Sequence, residues 1–271
     1  MKRIILLGFI VSLGVSALSQ KVEVYVKEHI PNKTPIPYVH LREADVLWSK
    51  TIWRMIDLRE KQNHALYYPK KPIGVSDHKR RNLSNLLLKG IQEKTITAYG
   101  TADPLNEFKV RMTDQEVNRK WGDSSTVLNP DLLITDDIKK ILVKELWYFD
   151  KQHSVMKVQI IGLCPIMVYP QLDQYGTPTG MLMKEPVFWI YYPEARQLLS
   201  EHEIFNRNND AQRISFDDFF QQRLFHGNIY GESNVYDNRV ILQYTTGIET
   251  LYEAEKIRNN IFTIEHDMWE Y

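Results

Sequence analysis

The stretch "SVMKVQIIGLCPIMVY", Ser154 to Tyr169, constrains the fold more than any other. Its β-branched and apolar side chains suit a pleated surface better than a helix. The turn-rich "PQLDQYGTPTG" follows, and then a second strand-like run, "EPVFWIYY". Two such runs joined by a turn predict a long antiparallel hairpin. Such a hairpin is stable only when other elements cover its apolar face, so the rest of the chain has to supply helices.

Several segments read as those helices. "HLREADVLWSKTIWRMIDLREK" carries Leu41, Ala44, Trp48, Ile52 and Met55 three or four residues apart, which predicts a helix with one buried face. "TDDIKKILVKELWYF" reads as another, capped by Thr135 with two acids at the positive end of its dipole. Asn82 and Ser215 are candidate caps for helices carrying Leu83, Leu86, Leu87 and Ile91, and Phe216, Phe219, Phe220 and Leu224. The last segment, "GIETLYEAEKIRNNIFTIEHDMWEY", places Leu251, Ala254, Ile257, Ile261, Ile264 and Met268 along one helical face. The class is therefore α+β, with antiparallel hairpins covered by helices.

The two halves share a vocabulary. Tyr-Tyr-Pro occurs in "ALYYPKK" and again in "WIYYPEA". The caps Asn82 and Ser215 are 133 residues apart, and the same offset carries the capping-box pattern "TDQE" at Thr113 onto "TGIE" at Thr246. Between the caps lie the strand-like "EFKVRM" and "NRVILQY". This agreement predicts an internal duplication into two similar helix-strand lobes, 41–130 and 131–271. Two unrelated helix-strand units in one α+β domain are the alternative.

The first nineteen residues read as a secretory signal peptide. Lys2 and Arg3 precede an apolar run from Ile4 to Val15, and the small residues Ala17 and Ser19 stand before Gln20. The run is short of the ~20 residues that span a bilayer. No cysteine stands at the expected cleavage point, so a bacterial lipoprotein anchor is not indicated. Residues 20–40 follow as an extended arm with Pro31, Pro35 and Pro37, which remove backbone donors and fix φ.

Composition excludes more than it assigns. The 34 basic and 34 acidic residues balance, so no global field draws nucleic acid or an anionic membrane. The single cysteine, Cys164, rules out an intramolecular disulfide and sits in an apolar run as a packed thiol. None of the eight histidines has close metal-ligand spacing, and no H-E-x-x-H, G-x-S-x-G, Walker A or dinucleotide fingerprint occurs. "GDSS" at Gly122 resembles the nucleophile motif of GDS(L) esterases, and "DKQH" at Asp150 has the D-x-x-H spacing. The glycine follows a helical "NRKW" as a helix stop would, and fewer than thirty residues separate Ser124 from Asp150, against the order in that family. A periplasmic glycan or ester hydrolase with Ser124 as nucleophile is the alternative reading. No catalytic residue, metal site or cofactor is assigned.

The segments "READVLWSKTIWRMIDLREKQNHALYYP", "LLLKGIQEKTITAYG" and "FWIYYPEARQLLSEHEIFNRNNDAQRISFDDFFQQRLFHGNIYGESNV" occur in that order. From about residue 38 onward the chain resembles the GldN (PorN) family of gliding-motility and type IX secretion proteins of the Bacteroidetes. The resemblance implies a periplasmic protein without known enzymatic activity. It also implies assembly with the outer-membrane lipoprotein GldK (PorK) into a large ring, and contact with the GldM (PorM) shaft of the motor. A ring requires self-association through heterologous contacts. The arm is the expected connector, with Tyr25, Ile30, Pro31, Pro35, Pro37 and Tyr38 as its contact residues. Some members of the family carry a C-terminal extension that this sequence lacks.

Overall fold

The computed structural model describes residues 33–73, 80–101, 107–121, 137–173, 177–207, 209 and 211–269. Its centre is an antiparallel sheet built on three long strands, β1 (Val46–Asp57), β3 (Ile138–Asp150) and β4 (Val155–Leu172). Short strands β2 (Ala98–Tyr99), β6 (Trp189–Tyr191) and β9 (Asn228–Glu232) complete the order β2-β6-β4-β3-β1-β9. The strand β5 (Pro178–Pro186) extends the hairpin beyond the point where β6 leaves β4. The strand β4 lies where it was expected, but its hairpin partner is Pro178–Pro186, most of it before "EPVFWIYY"; of that run Trp189–Tyr191 form the separate β6, and Tyr192 opens a helix. The class is α+β.

Two of the central strands were expected to be helices. In β1 the large side chains Trp48, Ile52 and Ile56 stand four residues apart. Four residues is about one helical turn, but it is also two full pleats, so this spacing keeps one face in either conformation. The β-branched and aromatic content of "VLWSKTIWRMID" and "IKKILVKELWYFD" decides for strand. The Thr135 cap lies outside the described residues.

Two smaller expectations also change. "NRVILQY" forms a 3-10 turn at Ile241–Gln243, and within "EFKVRM" only Arg111 pairs, in an isolated bridge to Tyr99. Strands of both sequence halves interleave in the one sheet. The Tyr-Tyr-Pro words are not equivalent elements. Tyr67 ends the short helix α1 (His64–Tyr67) before a cis Tyr68–Pro69 peptide, whereas Tyr192 and Pro193 open a longer helix.

The caps fare better. Asn82 accepts from the Asn85 amide at 2.8 Å and starts α2 (Leu83–Gln92). Thr113 and Glu116 form a reciprocal capping box on α3 (Asp114–Lys120). Tyr192–Ser200 is α4, and after the small β7–β8 ladder (Glu203–Ile204 with Ile214–Ser215) comes α5 (Phe216–Gln221), boxed by Ser215 and Asp218. The last helix, α6 (Glu249–Trp269), starts later than "TGIE" suggests: Glu249 is its first residue, and Gly247 just before it has φ +62°.

Direct cross-strand partners share a face. Ile56, Arg54 and Ile52 of β1 stand opposite Ile141, Val143 and Glu145 of β3. On this face α2, α4 and α5 bury Leu83, Leu86, Leu87, Leu199, Phe216 and Phe220 against Ile56, Ile141 and Val143. Farther along the same face, α6 buries Ala254, Ile257 and Ile261 against Ile52 and Ile229. The other face holds Trp53, Cys164 and Trp189 under Phe108. A Cβ on Gly162 would lie 2.5 Å from the Phe108 ring, so a glycine is needed there.

Between the two clusters of the helix-covered face sits a charge. Glu145 is fully buried and accepts from Arg54 Nε at 3.2 Å, Arg223 Nη2 at 2.9 Å and Trp147 Nε1 at 2.9 Å. Replacing Glu145 with alanine leaves two arginines facing each other and should destabilise the protein by about 3 kcal/mol, the lower end for a broken buried pair because Arg223 still reaches water. Urea denaturation of the two proteins measures this, and an unchanged midpoint would refute it.

Candidate partner-docking site

The helix α5 organises the surface from which the proline-rich arm departs. Phe216 and Phe220 enter the core, while Asp217 and Asp218 point elsewhere. Asp217 is buried and accepts from Tyr192 Oη at 2.7 Å and from Arg196 Nε and Nη2, both at 3.1 Å. This bidentate pair joins α5 to α4. Burial, with Asp217 adding to it, pushes the Tyr192 hydroxyl well above the ordinary tyrosine range. For Arg196 burial opposes the charge, but its hydrogen bonds to Asp217 prevail and raise its pKa.

The arm is tied to this pair of helices at two points. The Tyr38 ring covers the Arg196 guanidinium at 4.2 Å, and its hydroxyl meets Gln221. Burial raises the Tyr38 pKa. Five residues earlier, Lys33 pairs with Asp218, and the Ser200 hydroxyl donates to the Lys33 carbonyl at 2.9 Å. Burial works to raise the Asp218 pKa, but hydrogen bonds from Lys33 and Ser215 outweigh it and hold the carboxyl below its ordinary value. Pro35 is half-buried between the two ties, Pro37 is exposed, and Tyr25, Ile30 and Pro31 lie outside the described residues. The structure thus places Tyr38 at the root of the arm.

On the other side of α5, Phe219 forms part of a groove of about 730 Å³. Ala65, Ile204, Ile214 and Leu224 continue its apolar floor, and Tyr68 and Phe205 stand half-exposed at its edge. Lys61, His64, Arg80 and Arg207 complete the wall, and no carboxylate is among the lining side chains. Among the described residues Lys61, Arg80 and Arg207 have no carboxylate partner: Arg80 lies over the Phe205 ring at 5.2 Å, and Arg207 donates to the Lys61 carbonyl at 2.7 Å. A groove of this kind attracts a segment that combines aromatic and acidic side chains. Nothing local in the sequence marks it, because Lys61 and Arg207 are 146 residues apart.

The residues that suggested hydrolysis do other things or are not described. Ser124 lies outside the described residues. Asp150 and His153 do meet, at 2.7 Å, in the β3–β4 turn, where Asp150 also binds Lys157 at 2.7 Å and the Gln152 amide at 2.9 Å. The Lys157 contact leads in holding the Asp150 carboxyl far below the usual range, which suits a turn clasp. Cys164 is buried, and burial pushes its thiol pKa up. Among the described residues no three His, Cys, Asp or Glu side chains are grouped to hold a metal ion.

Residues 41–270 match the family model described as gliding motility associated protein GldN. The chain belongs to the GldN family. No curated protein matches it individually. Among the described residues no helix is long and apolar enough to cross a membrane.

The arm's root should respond to acid in a defined way. Because the Asp218 pKa is depressed by folding, its contribution is complete above the ordinary carboxylate value, about 3.9, and is lost as pH falls through the lower folded value. Limited proteolysis between Lys33 and Tyr38 should therefore stay slow from pH 5 to 8 and accelerate below about pH 4. Asp218→Asn should show the fast rate at every pH. An arm equally sensitive in both proteins at pH 7 would contradict the tie.

Proposed function

We propose that this chain is a non-enzymatic periplasmic structural subunit of the type IX secretion and gliding machinery. In this reading it assembles with a GldK/PorK-like outer-membrane lipoprotein into a large ring and contacts the GldM/PorM-like shaft. Family membership supports the machinery, and the signal-type start supports export. The arm is the observation that carries the mode of action. Its root is held by Lys33 and Tyr38 on α4 and α5, while the residues before Lys33 continue a proline-containing segment.

A segment anchored at one end and stiffened by proline loses less entropy on binding than a free tail. Tyr25, Ile30, Pro31, Pro35 and Pro37 form the contact with the lipoprotein or a neighbouring subunit, and Tyr38 aims them. The protein needs no cofactor and meets no nucleic acid in this role.

Two truncations separate contact from scaffold. Removing residues 20–32 should abolish co-purification of the lipoprotein and leave the Tm of the body within a degree or so, because the Lys33 and Tyr38 ties remain. Removing residues 20–38 should also lower the Tm, because Arg196 and Asp218 lose their covers. Full partner binding by the shorter truncation would overturn the assignment of the arm.

A further inference from the structure

The helix α6 has two faces. Ala254, Ile257 and Ile261 lie on the sheet. The opposite side, at about 100° per residue, carries Tyr252, Glu255, Asn259, Phe262, His266 and Trp269 in alternating steps of three and four. Tyr252, Phe262 and Trp269 are 68%, 68% and 64% exposed. Three large aromatic residues aligned on the outer side of one helix mark a surface made for contact. Glu265 stands one turn before Trp269 on the same side, and among the described residues it pairs with no cation.

Position decides what the far end of α6 can reach. The beginning of the helix, at Leu251 and Ala254, lines a cavity with Phe225, His226 and Asn228. Its later part, at Ile261 and Ile264, lies by Trp48 and Lys50 at the start of β1. The cationic groove lies past the other end of β1, at Lys61 and His64. The helix is about 30 Å long, so its final turn points away from the groove of its own chain.

We propose that the end of α6 in one copy seats in the cationic groove of a second copy, with Trp269 on the apolar floor and Glu265, one turn before it on the same side, facing Lys61, Arg80 and Arg207. Charge and shape favour this occupant: among the described residues the groove's cations have no carboxylate partner and stand beside an aromatic rim, and the helix end offers a carboxylate one turn before an exposed tryptophan. The contact joins different surfaces of the two copies, so it propagates head to tail and closes or not according to the rotation it imposes. It rests on the structural-subunit reading and specifies how neighbouring copies meet. One helix end buries less than the ~1,200 Å² of a standard interface, so the contact is weak in dilute solution and strengthens where other partners concentrate the copies.

The test uses two full-length variants, Gln62→Cys at the groove and His266→Cys one turn before Trp269, mixed at high protein concentration under mild oxidation. The native Cys164 is buried and does not compete. The expected product is a disulfide between position 62 of one chain and position 266 of the other, identified from the linked peptides. Adding Arg207→Glu to the first variant, or Trp269→Ala to the second, should lower its yield roughly tenfold, the scale of one good charged or aromatic contact. Products linked only 62 to 62 or 266 to 266 would show a different interface and overturn the proposal. So would a 62–266 yield indifferent to both substitutions.

If the groove links to no second copy, yet Gln62→Cys is shielded from labelling in the cell envelope, another occupant holds it and the proposal fails. A deletion strain that still secretes and glides would refute the subunit reading, while the cross-link judges the contact alone.

Discussion

Glu145 is an acidic side chain placed where water does not reach, in the middle of the ladders that β3 makes with β1 and β4. Desolvation makes such a charge expensive, and it is tolerable only because every side of it is answered. Arg54 comes from the adjacent strand, Trp147 from its own strand, and Arg223 from the segment that leaves α5. Arg54 also donates to the Gly227 carbonyl at 2.8 Å, so the same ion group holds the chain as it turns into β9. Arg223 takes the left-handed conformation, φ 53°, to reach its place. Burial and the nearby Arg54 pull its pKa down, with Glu145 working against them.

That ion group fixes the relation between the two helical layers. The cluster under α2, α4 and α5 lies on one side of Glu145, and the α6 cluster on the other. Each candidate surface belongs to one of these layers. The arm's root uses the outer side of α4 and α5, and the groove uses α5 with α1 and the β7–β8 ladder. Buried Asn63 adds a second clasp, donating to the Asp57 and His226 carbonyls at 2.8 Å each, so the floor of the groove is tied to the end of β1. Surfaces meant to bind large partners need this kind of rigid support, because a misaligned helix would displace every contact at once.

Local signals in the sequence were legible where the interaction itself is local. Asn82, Thr113 and Ser215 cap helices through bonds three residues long, and the strand β4 follows from composition. The central strands β1 and β3 were not legible as strands, since a spacing of four satisfies both periods and only the β-branched and aromatic content separates them. The arm could be recognised from its prolines, but its tie to Asp218 spans 185 residues. The groove and the Glu145 group are likewise made by residues far apart in sequence. The outer stripe of α6 was hidden by the inner one, which accounts for the helix without it.

The central claim is that this protein acts as a jointed structural part, through an anchored arm and rigid surfaces. The most direct measurement is gentle extraction of the tagged full-length protein from its own envelope, followed by mass spectrometry and negative-stain electron microscopy of the same fraction. The account predicts ring-shaped particles containing this chain and an outer-membrane lipoprotein in fixed proportion. A monodisperse single chain with no stoichiometric partner would contradict it.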